Sequence, residues 1–164
     1  MTAVLFLLLA PAPAPVTLHG QAGQLLTLTV RLPALSTGVL LNRGAPNSVT
    51  LKTPWGQTKK QPAGQPFPKD DKEFSDYFQQ LQPITLKLKV PAGTPSGPHN
   101  AQLALHLFTC DKKERLCKQK DLTYPVTIHV GKMQRNATLN VPAALFRQTF
   151  KLDGSLRPSS LPSA

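Results

Sequence analysis

The segment PITLKLKVP, residues 83–91, places Ile84, Leu86, Leu88 and Val90 in strict alternation with Thr85, Lys87 and Lys89. Successive side chains of an extended chain point to opposite faces, so this pattern buries one face of a strand and would scatter around a helix. QLLTLTVRL at 24–32 repeats it, with Leu26, Leu28, Val30 and Leu32 against Thr27, Thr29 and Arg31. The same reading places further strands at 39–41, 49–52, 101–108, 122–130, 137–141 and 146–152. Seventeen prolines and ten glycines punctuate these runs. Seven or eight short alternating strands predict an all-β, immunoglobulin-like antiparallel β-sandwich. The 164 residues suffice for one core and not comfortably for two.

One region breaks the alternation. Residues 56–71 are polar and rich in Pro, Gln and Lys, which predicts a long surface loop. DDKEFSDYFQQLQ follows, with Phe74, Tyr77, Phe78 and Leu81 at helical spacing and Asp70 and Glu73 placed for a capping box. One or two helical turns ending at Pro83 are expected there, forming an apolar lid on the sandwich edge.

The ends divide the chain differently. MTAVLFLLLAPAPAP opens with an apolar run, Ala3 to Ala10, far short of the roughly 20 residues that span a bilayer. It is similar to the apolar core of a secretory signal peptide followed by small residues, and the alternative is an apolar N-terminal strand. The expected organisation is a leader at 1–22, the sandwich at 23–152 and a disordered tail at 153–164. Export agrees with two cysteines suited to an oxidising compartment.

A net charge of +11 raises the question of nucleic acid. The basic residues are spread thinly, and no recognition helix, zinc finger or RNA-binding signature accompanies them. No nucleic acid is therefore expected as partner, whereas an acidic protein surface fits the charge. The oligomeric state is not legible.

The two cysteines, Cys110 and Cys117, flank the loop DKKERL. If they stand opposite each other in an antiparallel hairpin, Leu105 meets Leu122, Leu103 meets Tyr124 and Ala101 meets Val126 on one apolar face. Phe108 then meets Gln119, His106 meets Asp121 and Ala104 meets Thr123 on a semi-polar face. The register that pairs the cysteines also segregates the apolar residues. It predicts burial of Leu103, Leu105, Leu122, Tyr124, Val126 and Ile128, and exposure of His106, Lys118 and Asp121. The cysteines would sit on the more exposed face, about 4.5–5.5 Å apart at Cα. Lys112, Lys113, Arg115, Lys118 and Lys120 would favour a thiolate over the opposing Asp111 and Glu114.

Three uses of this pair stay open at the level of residues: a structural disulfide, a thiol–disulfide exchange site, and a zinc half-site. The last would need His106 as a third ligand and still lacks a fourth. No Ser–His–Asp set, phosphate loop or carboxylate pair points to other chemistry. A non-catalytic binding or structural domain with a structural disulfide is the alternative to exchange.

The segment LFTCDKKERLCKQKDLTYPVTIHV, with GQLLTLTVRLP, LNRGAPNSVTL and LKLKVPAGTPSGPHNAQLAL upstream in order, resembles the N-terminal periplasmic domain of DsbD, the membrane thiol–disulfide interchange protein. It is equally similar to the C-terminal β-domain of NHL-repeat thioredoxin proteins. The resemblance covers roughly residues 20–132. It implies a cell-envelope or periplasmic location and a role as a component of a protein-disulfide reductase. In the DsbD family the cysteine pair takes electrons from the membrane domain and passes them to thioredoxin-like proteins, while a cap loop with acidic residues and a Phe shields the pair. On this chain the resemblance implies Cys110 and Cys117 as the redox pair and Asp71, Glu73 and Phe74 as the cap. The implied partner is a thioredoxin-like or DsbD-type membrane redox protein; no cofactor or metal is expected.

Overall fold

The computed structural model describes residues 13–33, 38–111 and 116–146. These residues hold eleven strands and one short 3-10 turn. The larger sheet holds β1 (Val16–Gly20), β3 (Val39–Leu41), β4 (Ser48–Thr53), β5 (Gly56–Lys60), β9 (Gly97–Asp111) and β10 (Cys117–Val130), in the order β1-β10-β9-β4-β5, with β3 also on β9. The smaller sheet is β11-β2-β8, from Ala137–Asn140, Leu25–Arg31 and Ile84–Lys89. A ribbon of β6 (Gly64–Pro66) and β7 (Phe78–Leu81) completes the set. The inner faces of the two sheets share one core, in which Leu18, Leu28, Val30, Leu86, Leu103, Leu107 and Ile128 have no exposed surface. The chain is an all-β sandwich.

The alternating segments form strands where their pattern requires it. Leu26, Leu28 and Val30 of β2 and Ile84 and Leu86 of β8 are buried, while Lys87 and Lys89 stay in water. β9 and β10 form the hairpin in the expected register, from Cys117 opposite Cys110 to Val130 opposite Gly97. Leu103, Leu105, Tyr124, Val126 and Ile128 are buried and Leu122 is half-buried against the core. Lys118 and Asp121 are exposed and His106 is partly so.

Several expectations need correction. The sandwich is not wholly antiparallel, because β1 runs parallel to β10 and β11 parallel to β2. The expected loop at 56–71 contains β5 and β6, which the polar composition of GQTKK and GQP concealed. Phe78 and Leu81 belong to a strand, so the helical spacing across 74–81 reflects a change of direction. A single turn precedes it: the Ser75 amide donates to the Asp71 carbonyl at 3.0 Å. Asp71, rather than an Asp70–Glu73 box, caps that turn, its Oδ1 accepting from the Glu73 and Phe74 amides at 3.1 and 3.0 Å. Of the strand expected at 146–152 only Phe146 is described, buried at the end of a 3-10 turn, Ala143–Phe146; 147–152 lie outside the described residues. The boundary at residue 22 is too late, since β1 is an integral strand with Val16, Leu18 and Gly20 buried. The apolar run 3–10 and the tail 153–164 lie outside the described residues.

β9 is long enough to carry two partners along one edge, β4 beside residues 102–106 and β3 beside 109–111. Asn47, 4% exposed, bridges the break. Its Oδ1 accepts from the Phe108 amide at 2.7 Å, while the Asn42 amide donates to the Phe108 carbonyl at 3.1 Å. Both polar groups of Phe108 are thereby satisfied where the ladder is interrupted, as buried backbone requires. This junction sets β3 beside the cysteines.

Candidate functional site

Cys110 and Cys117 form a disulfide at the loop end of the β9–β10 hairpin, with Cα atoms 3.9 Å apart. The Asp111 amide donates to the Leu116 carbonyl at 2.9 Å just beyond it. The two cysteines differ in access: Cys110 is 4% exposed and Cys117 is exposed. The expectation of two cysteines on an open face therefore holds for Cys117 and fails for Cys110. Two neighbours account for the burial. Leu40 of β3 lies directly across from Cys110, and the turn at 67–77 covers the same face.

That turn is the loop of the β6–β7 ribbon, and it is tied to the sandwich at several points. The Arg43 amide donates to the Asp76 carbonyl at 2.8 Å, and its guanidinium to the Ser75 carbonyl at 2.9 Å. Asn42 and Tyr77 form an isolated bridge, and the Phe67 amide donates to the Tyr77 carbonyl at 3.2 Å. Phe67, Phe74 and Tyr77 pack in a row, tilted between Phe67 and Phe74 and edge-to-face between Phe74 and Tyr77, with centroids 5.7 and 6.5 Å apart. Phe74, Tyr77 and Glu73 then join Leu40, Cys110, Asp111 and Cys117 around a cleft of about 240 Å³. The Tyr77 hydroxyl lies 3.8 Å from Cys117 Sγ. With both sulfurs in the disulfide, the hydroxyl is the partner that holds a proton to donate.

Of the three residues expected to form a cap, Glu73 and Phe74 line the disulfide cleft, whereas Asp71 does not and shapes the turn. Phe78, read from the sequence as part of the same aromatic cluster, turns into the core and is 9% exposed. Leu40 and Arg43 were not singled out from the sequence. For Leu40 a signal exists: VLL is apolar without alternation, and all three residues are buried, the mark of a strand covered on both faces.

The electrostatic surroundings differ from expectation at Lys118 and Lys120, the two of the five basic residues that are described. Lys118 and Lys120 alternate with Cys117 and stand opposite Thr109 and Leu107, on the other face of the hairpin. Among the described residues, the charged side chains lining the cleft are Glu73 and Asp111. Lys112, Lys113, Glu114 and Arg115 lie outside the described residues.

A second polar group shares the cysteine face. His106 Nδ1 and Asp121 Oδ1 are 2.5 Å apart, and Gln119 Nε2 donates to Asp121 Oδ2 at 2.7 Å. The Gln119 bond, then the His106 bond and charge, hold the Asp121 carboxyl below its ordinary value. His106 and Asp121 are each four residues from the cysteine on their own strand, roughly 13 Å away, which is beyond direct proton transfer to a sulfur. His106 is thus engaged with Asp121 and not with the cysteines. The Tyr124 hydroxyl, buried without a partner, belongs to the core, and burial pushes the phenol upward.

The arrangement is a disulfide with one sulfur on a shielded residue and the other on an accessible one, under a short aromatic turn. Among the described residues, no group of three or more His, Cys, Asp or Glu side chains is disposed to hold a metal. In comparisons with known proteins, the chain matches no family model and no curated protein.

Proposed function

We propose that this domain is a thiol–disulfide exchange module of the cell envelope, relaying electrons through Cys110 and Cys117 with thioredoxin-like or DsbD-type membrane partners. The observation that carries this reading is the unequal access of the two cysteines, buried at Cys110 and exposed at Cys117. A partner thiolate attacks Cys117 Sγ, the intramolecular bond breaks, and Cys110 leaves as a thiolate that takes up a proton. A second partner thiolate then attacks the partner sulfur of the mixed disulfide and releases Cys117. The partner dithiol is oxidised by two electrons and the domain disulfide is reduced by two; the reverse sequence passes the electrons on. Glu73, Phe74 and Tyr77 restrict the approach and act as a shield, with Asp71 holding their turn.

The size of the closed loop supports a bond that opens. A separation of 7 residues gives a loop-closure stabilisation of only about 2.5 kcal/mol by chain entropy. Incubation of single-cysteine variants with an oxidised thioredoxin-like protein tests the reading. Cys110→Ser leaves the accessible thiol and is expected to trap a mixed disulfide, with at least tenfold less from Cys117→Ser. Failure of both variants to trap, together with a reduction potential below about −300 mV, would make the bond a structural staple.

A further inference from the structure

The two ends of the sandwich carry different chemistry. Among the described residues every carboxylate side chain, Asp70, Asp71, Glu73, Asp76, Asp111 and Asp121, lies in the cap or on the disulfide half of the β9–β10 hairpin. The opposite end is built from the turns at 20–24, 90–97 and 131–136, and none of them contains an acid. It carries Lys89, Lys132 and Arg135, all exposed. It also carries Leu25 and Met133, 46% and 61% exposed, two of the three large apolar side chains that the described residues leave in water.

These residues are neighbours and not merely on the same side. Leu25 stands directly opposite Lys89 across β2 and β8. Gln134 Nε2 donates to the Leu25 carbonyl at 2.6 Å, and Gln21 Nε2 donates to the Lys132 carbonyl, which ties the 131–136 turn to β2 and to the turn at 20–24. The Arg135 amide donates to the His19 carbonyl at 2.9 Å. The result is two aliphatic tips ringed by cations on a tied-down surface.

We infer that this end docks on an anionic phospholipid surface, with Leu25 and Met133 entering the headgroup layer and Lys89, Lys132 and Arg135 meeting lipid phosphates. The pairing of exposed aliphatic tips with unopposed cations selects this partner: a lipid interface accepts both, by apolar burial and by surface potential. A nucleic acid would use the cations and leave the tips in water. Among the described residues no helix is long and apolar enough to cross a bilayer. The hairpin then sets a distance. Its 14 paired positions on β10 at about 3.4 Å per residue hold the disulfide roughly 45 Å from the lipid. The inference is independent of whether that disulfide exchanges.

Sedimentation of the full oxidised chain with vesicles tests it. Binding is expected to vesicles of mixed phosphatidylcholine and phosphatidylglycerol, with little to phosphatidylcholine alone, and it should weaken as salt rises. Lys89→Gln and Lys132→Gln should each lower partitioning about fivefold. Leu25→Ser and Met133→Ser should also weaken it severalfold while leaving its salt dependence unchanged. Lys59→Gln, on β5 and away from this end, should leave partitioning unaltered. Absence of binding at low salt would overturn the inference, as would a Lys59→Gln effect equal to that of Lys89→Gln. Indifference to both serine variants, with duplex DNA of equal charge competing fully, would assign the end to polyanions and overturn the lipid assignment.

Discussion

Cys110 and Cys117 occupy one rung of a ladder, and their different surroundings come from what lies beyond the rung. Cys110 has Leu40 on its free side and the turn at 67–77 above it, whereas Cys117 belongs to the strand that, among the described residues, has no further partner at that end. This asymmetry was not legible from the register, which treats the two positions alike. The facing pair of His106 and Asp121 was legible from it, because the register that matches the cysteines also matches them. Asp121 offers a check at the same scale. Its folded value lies below the ordinary one of about 3.9. Its contribution to stability is therefore complete above the unfolded value and is lost as pH falls through the folded value. An NMR titration of the Asp121 carboxyl should show a midpoint below 3.9 or so, and Gln119→Leu should move it upward. An unchanged midpoint in that variant would show that Gln119 does not hold the carboxylate.

At the scale of elements, the cap depends on a two-stranded ribbon too short to stand alone. Gly64 shows how close its strands run: a Cβ there would meet the Gln80 carbonyl oxygen at 2.0 Å and the Leu81 Cα at 3.0 Å. Gly64→Ala should force the ribbon apart at a cost of about 1–3 kcal/mol. Because the cap is the loop of this ribbon, reduction of the disulfide by a small dithiol should become severalfold faster in a thiol-trapping time course. An unchanged rate would mean that the ribbon does not control access. This ribbon is also where the sequence was least legible. Strands such as PITLKLKVP announce themselves because one face is buried and the other wet. GQP and FQQL pair mainly through backbone, and Phe78 is the one buried side chain between them, so no period shows. The spacing of Phe74, Tyr77, Phe78 and Leu81 looked helical because two directions of burial follow each other. Phe74 and Tyr77 serve the disulfide cleft, and Phe78 enters the core.

Across the whole molecule, the core was legible because its largest strands alternate, and the hairpin register followed from one cysteine pair. The parallel edge strand was not, since Val16–Gly20 is short and its partner is more than a hundred residues away in sequence. Its five pairs with β10 run from Val16 opposite Val126 to Gly20 opposite Val130. Val16 is 8% exposed and Leu18 fully buried, and burying each such side chain is worth about 1.5–3 kcal/mol. A chain beginning at Gly23 should therefore be less stable in urea than one beginning at Pro13 by about 3–6 kcal/mol on the apolar term alone. Equal stability would mean that the strand is dispensable. The seating of β1 also constrains maturation: a peptidase that trims this chain and leaves a folded product must cut ahead of Val16, because every bond from there to Gly20 lies in a strand it would have to peel from the sheet.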